Sequence, residues 1–250
     1  MARYILIIIL VLTINQCFSQ NNIGIVIYKK QKLNYLSESD SFKENNKERV
    51  EYAAKVEDMD KNSKKALEEI DFKLVFKENR SSFSVVSYLE ITESKYAKLA
   101  IGASGRGIYY TNFREEKCYR EVNSYGENFI IKFPKWNWNL TNEIKTIGDY
   151  TCYKATSVKE IFGREGIVKK EVTAWYAPDL NIPFGPLEFN GLPGLIIELT
   201  VGKERYLVNK IELNSKMNIE ILEPTKGKFV TKKEFDEIGV NMMQSYKKLF

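Results

Sequence analysis

The sequence predicts an α+β fold built on a curved, mostly antiparallel β-sheet, with a C-terminal helix and one or two helices from the N-terminal half on one face. Three observations lead there. Apolar and polar residues alternate at period two through much of the stretch from 71 to 213, the spacing of half-buried strands. The connections between these runs are short turn segments with no helical crossover, so sequential strands should pair antiparallel. The period becomes helical again only near the C-terminus. Composition agrees: 44% hydrophobic residues, 13% aromatics and only 6 prolines describe a folded, strand-rich chain rather than a disordered one.

Taken in order, Ile23, Ile25 and Ile27 alternate with Gly24 and Val26 and predict a first strand. Residues 43–70 are charge-dense, with Val50, Ala53, Val56, Ala66, Leu67 and Ile70 at helical spacing. They predict one or two exposed helices with a break near 60–63. Phe72, Leu74 and Phe76 then alternate with charged neighbours, residues 78–81 turn, and Phe83 and Val85 return, which predicts a β-hairpin. Further strands are expected at 108–113, 117–122, 128–133, 143–147, 150–156, 168–176, 195–201 and 206–213. At the C-terminus, Thr231 and Glu234 have the spacing of a capping box, and Phe235, Ile238, Met242 and Tyr246 form a stripe expected to pack on the sheet.

Before the first strand, Arg3 precedes an apolar run at 4–14 and a more polar patch at 15–20, the order of a secretory signal peptide. The expectation is a leader of residues 1–19 and one domain over 20–250. Lipidation at Cys17 is the rival, but Gln16 stands where a small residue is expected. The apolar run is shorter than the roughly 20 residues a membrane anchor needs, so the mature chain is not expected to be transmembrane. Removing residues 1–19 takes away one basic residue, Arg3, and leaves 37 basic against 33 acidic. The lysines are scattered, without the basic block of a nucleic-acid binder. Of the 3 cysteines, Cys118 and Cys152 remain, and one disulfide is the simplest expectation for an exported chain. It would close a loop of about 35 residues, worth roughly 3–4 kcal/mol. Two free thiols, or a functional thiol pair, are the alternatives.

The chain contains no histidine. That removes Ser–His and Cys–His nucleophiles, HExxH zinc sites and axial His haem ligation, and no cofactor or metal set is expected. Residues 102–107 are glycine-rich, but Ser104 lacks nucleophile-elbow spacing and a strand follows where a phosphate cradle needs a helix, so a flexible hairpin connection is the reading. Glu115–Glu116 and Glu68–Glu69 are adjacent, which sends each pair to different faces. The most specific segment is 175–199, where three of the six prolines and three glycines fall between Pro183 and Gly194. Pro193 and Gly194 suit a type II turn. The segment reads as a stiff apolar clasp or the lip of an apolar groove. Groove candidates are Trp136, Trp138, Trp175, Tyr176, Phe184, Phe189, Leu192, Pro193 and Leu195.

Gly191-Leu192-Pro193-Gly194-Leu195-Ile196 resembles the signature of the GLPGLI family of exported proteins from Bacteroidetes-type bacteria. The resemblance extends over 147–155, around Tyr150 and Cys152, and through Trp175–Pro178 and Ile182–Pro186. Asp149 departs from it, standing where the family has glycine. Residues 136–200 are covered well and 31–70 hardly at all. The resemblance implies an exported, periplasmic or envelope protein. Its strand-then-helix order also looks like the curved sheet of lipoprotein-carrier proteins, an analogy of fold alone. It brings no activity with it. The aromatic strands, the rigid apolar loop and the lack of a catalytic set lead to the expectation of a non-enzymatic protein holding an apolar small molecule, a lipid or a segment of an envelope protein. The alternatives are a carboxylate-based envelope hydrolase and a structural accessory of an outer-membrane transporter.

Overall fold

The computed structural model describes residues 23–86, 95–103, 105–163, 166–213 and 218–248, so the expected leader and Cys17 lie outside the described residues. The twelve strands among the described residues join one sheet. Chain order begins with β1 (Ile23–Lys32), helices α1 (Asp40–Asn45) and α2 (Val50–Glu69), and the hairpin β2 (Asp71–Lys77) and β3 (Arg80–Val85). Helix α3 (Lys95–Ala103) leads into β4 (Ile108–Asn112), β5 (Lys117–Ser124) and β6 (Glu127–Lys132). Then come β7 (Asn139–Ile147), β8 (Tyr150–Gly163), β9 (Gly166–Ala177), β10 (Leu195–Val201) and β11 (Glu204–Leu213). A short strand β12 (Lys228–Thr231) precedes helix α4 (Lys232–Lys248). The spatial order is β12-β6-β5-β4-β3-β2-β1-β11-β10-β9-β8-β7. Every pairing is antiparallel except the parallel β12–β6 pair at one end.

The period-two pattern sorts the side chains as the physics requires. Val26, Tyr28, Phe72, Leu74, Phe76 and Phe83 are buried on one face. Their rings interlock: Phe72 and Phe83 stack, while Tyr206 meets both edge-on. Ala66 and Leu67 of α2, Ala97 and Ala100 of α3, and Phe235 and Ile238 of α4 pack on this same core, so the helices share one face with it. The opposite face carries a smaller cluster on the far strands, with Tyr110, Tyr119 and Ile130 covered by Ile219 and Ile221.

Helix α4 touches β6 and β12 near one end of the sheet and β8 near the other. In a flat sheet β6 and β8 would lie about 40 Å apart at ordinary strand spacing. The sheet therefore curls until a single helix bridges its two ends. Asp236 of α4 accepts the Phe162 backbone N–H of β8 at 3.5 Å. The start of α4 is fixed by its capping box: Glu234 Oε2 accepts the Thr231 N–H at 2.7 Å, and Thr231 Oγ1 accepts the Glu234 N–H at 3.2 Å. These bonds hold the Glu234 carboxyl below its usual range.

Several expectations change. Helix α2 runs unbroken through 60–63, because Asn62 and Ser63 stay within helical geometry and Asn62 Nδ2 donates back to the Asp58 carbonyl at 2.8 Å. Residues 102–107 are not a strand-to-strand connection: Gly102 lies in α3, and Gly105 and Gly107 take positive φ values of 82° and 103° on the way into β4. At Gly107 a side chain would collide with the Glu121 carbonyl of β5, so close strand approach dictates glycine there. The expected Cys118–Cys152 disulfide is not formed, and both thiols are buried and free. Cys118 is on β5 and Cys152 on β8, separated in the sheet order by β4, β3, β2, β1, β11, β10 and β9. The Cys118 thiol donates instead to the Glu188 carbonyl at 3.8 Å and that of Cys152 to the Tyr150 carbonyl at 3.6 Å.

Candidate functional site

Residues 183–194 form a clasp over the core, pinned by its own backbone. Gly191 N–H donates to Pro183 O at 2.9 Å, Phe189 N–H to Pro186 O at 3.2 Å and Ile196 N–H to Phe184 O at 3.1 Å. The expected type II turn is absent. Gly194 does not take a positive φ; Gly191 does, at 88°. A 2.8 Å bond from Gly194 N–H to Leu192 O closes a three-residue turn on Pro193, whose ring already fixes φ near the value that turn needs. Gly194 is required for another reason. A Cβ there would sit 2.4 Å from the Ala177 carbonyl oxygen at the end of β9.

Residues 133–138, which cross from β6 to β7, are locked onto this clasp. Trp136 Nε1 donates to Glu188 O at 3.0 Å and Trp138 Nε1 to Asn190 O at 2.9 Å. The Trp136 and Phe189 rings stack with centroids 4.3 Å apart, and Trp138 leans on both. The structure thus brings together three of the nine groove candidates. Phe184 instead packs on Phe113 and Phe76, Tyr176 on Tyr153, and Leu192 and Leu195 are fully in the core. Trp175 lies under the Lys145 ammonium, 4.3 Å from its ring centre, and Pro193 is exposed. Trp136 is the candidate that borders open space.

That space is a cavity of 280 Å³ between residues 133–137, β8 and the start of α4. A second cavity of 630 Å³ continues from it, sharing Phe133, Pro134, Glu160 and Lys232 and running past Phe162 and Ile167 to Lys233 and Asp236. The floor of this groove is apolar, and Ile167 is 54% exposed in it. Its rim carries Lys132, Lys233 and the Lys232–Asp236 ion pair.

Glu188 stands in the wall of the smaller cavity with 1% of its surface exposed. Its Oε1 lies 2.5 Å from the Lys159 ammonium of β8. Its Oε2 is buried with no hydrogen-bond partner among the described residues. Leaving a buried acceptor unmatched costs about 1–3 kcal/mol, more when it is charged. Leu187, just before it, takes a left-handed φ of 59°, which for a leucine stores about 1–3 kcal/mol of strain. The sequence carried a signal for Glu188: it is the sole acid between Asp179 and Glu198, inside an otherwise apolar loop. Its partner Lys159, far away in sequence, gave none.

Burial around this carboxylate raises three neighbours. The Tyr109 and Tyr206 phenols are pushed up chiefly by desolvation, with the Glu188 charge adding to it, and the Cys118 thiol is pushed up to about 12 for the same first reason. A thiol or phenol whose folded value is raised stays neutral in the fold while the unfolded chain ionises. Stability is then intact below the unfolded values and falls as pH rises through them. Chemical denaturation at a series of pH values should show a steady loss of stability beginning near pH 9. For Cys118 alone the loss is about 1.4 kcal/mol per pH unit until its folded value is reached.

A third cavity, of 640 Å³, lies between the β2–β3 turn and residues 219–222. Glu115 lines it, and beside it Glu115 and Glu223 converge on one ammonium, Lys117, at 2.6 and 2.8 Å. Hydrogen bonding to Lys117 holds the Glu115 carboxyl below its usual range, the opposite of what a general acid needs. Among the described residues no cluster of His, Cys, Asp or Glu is placed to hold a metal, and no helix is long and apolar enough to cross a membrane.

Comparison with known proteins adds a local match. Residues 163–198, covering β9 and the clasp, match the model of a family described as "Protein of unknown function (Porph_ging)". No curated protein matches the chain. Among solved structures, PNGF-II in its C2 and P21 crystal forms is similar at 10% identity with TM-scores of 0.49, covering 86% and 87% of this chain. This chain spans 33% of the length of those chains.

Proposed function

We propose that the chain is an exported, envelope-associated protein of the GLPGLI type that binds rather than transforms its ligand. The ligand has a long apolar body and lies in the groove between residues 133–137, β8, β9 and the first turn of α4. The observation that carries this reading is the continuity of the two cavities over Phe133, Pro134, Phe162 and Ile167. Exposed apolar surface of this kind, rimmed by charge, is the usual mark of a binding site. The packed aromatic interior beneath the clasp favours a ligand position at the seam where the sheet ends meet. The clasp and the two indole bonds hold the wall of that seam rigid, which lowers the ordering cost of binding.

Native mass spectrometry of the protein, purified without refolding from the envelope of the cells that express it, tests this. The expected result is a one-to-one adduct of a lipid-like small molecule. Ile167→Asp places a charge in the groove floor at an exposed position and should remove the adduct while leaving the fold intact. An unmodified protein mass throughout would contradict the proposal.

A further inference from the structure

Resting on the groove reading, we infer that Glu188 is a recognition site for a neutral hydrogen-bond donor, a hydroxyl or amide N–H, at the head of the apolar ligand. The smaller cavity is where that head would sit, with the apolar body running into the larger one. Three features of the carboxylate point to this. It is almost fully buried yet borders the cavity. One oxygen is committed to Lys159 and the other, Oε2, is left without a donor. Its backbone is held in place: the carbonyl of Glu188 accepts from Trp136 Nε1 and Asn190 Nδ2, both at 3.0 Å, and from the Cys118 thiol.

An ion pair serving only to tie β8 to the clasp would need no open side. Here the pair borders the cavity, and its one unmatched group is the buried acceptor Oε2. An ionised carboxylate oxygen accepts only, so its partner must donate. A cationic head would meet Lys135, Lys159 and Lys232 in the same wall, and an anionic one would meet the charges of Glu188 and Glu160. A neutral donor avoids both conflicts. The left-handed Leu187 just before it is a strained conformation of the kind that accumulates at ligand clamps.

Decanol and decyl methyl ether share an apolar body and differ in the donor. In calorimetric titrations of the wild-type protein, decanol should bind at least about tenfold more tightly, the worth of a hydrogen bond to a charged acceptor. Glu188→Gln turns the open acceptor into an amide of the same size and should bring the two affinities together. Glu188→Asp keeps the charge but withdraws it by one methylene, and should also shrink the preference. It serves if the glutamine variant does not fold. Equal binding of both probes by the wild-type protein would overturn the role of Glu188 and leave the groove standing. A preference that survives in the folded variants would overturn it too. Binding of neither probe would overturn the groove reading itself, and the inference with it.

Discussion

Gly194→Ala is expected to destabilise the protein by about 3 kcal/mol or more, the upper range for forcing extra volume into a packed site. The added Cβ would lie 2.4 Å from Ala177 O, 2.6 Å from Ala177 C and 2.8 Å from Pro178 Cα. All three are backbone atoms, so no side chain can swing aside. Ala177 is the register partner of Leu195, and relief would require β10 to part from β9 at its first pair. Gly191→Ala is the matching control. Nothing lies within 4 Å of a Cβ there, but its φ of 88° is strained for any L residue, which costs about 1–2 kcal/mol. Urea denaturation midpoints should rank the two variants with Gly194→Ala clearly the worse. The reverse order would show that dihedral preference, not close approach, dictates the glycine in this signature.

Phe189→Ala should cost about 3–5 kcal/mol, the range for removing a fully buried ring. Phe189 has no exposed surface, stacks on Trp136 and lies beneath Trp138, with the Lys159 ammonium 5.4 Å from its ring centre. Its loss removes the ring contact that joins residues 133–138 to the clasp and leaves the two indole hydrogen bonds there. The near-ultraviolet dichroism that Trp136 and Trp138 contribute should flatten, leaving that of Trp175, while the strand signal persists. Phe189→Leu, which restores most of the volume, should recover much of the stability. If the tryptophan signal were unchanged in Phe189→Ala, the stacked cluster would not be what positions the groove wall.

The strands were legible because period-two alternation is a local signal, and the face it marks is the buried one: Phe72, Leu74 and Phe76 are buried as their spacing requires. The capping box at Thr231 was equally local. Less local features escaped. β12 is four residues long and pairs in parallel with β6, a contact that only tertiary closure creates. The glycines at the end of α3 read as a loop in the sequence, although Gly102 belongs to the helix. The curl that brings β6 and β8 to one helix cannot be read from periodicity. For that reason the groove candidates fall on residues 136–138, the end of β9, the clasp and the start of β10, most of them core, and Trp136 is the one that lines the seam. Glu188 showed itself only as an odd acid in an apolar loop. Its unmatched oxygen is a property of the assembled wall.

A charged residue confined in this way needs a reason. The clasp holds Glu188 against Lys159, the indoles hold the clasp, and the groove opens beside them. Stability arguments alone favour an apolar replacement for a buried, half-satisfied ion pair. Its place beside an apolar channel supports the proposed binding role of the seam, which the continuity of the two cavities carries on its own.

The most direct test is a calorimetric titration of the wild-type protein and of Ile167→Asp with decanol under matched conditions. The expected result is saturable one-to-one binding by the wild-type protein and none by the folded variant. No saturable binding, or equal binding by both, would contradict a ligand groove at the seam of the sheet.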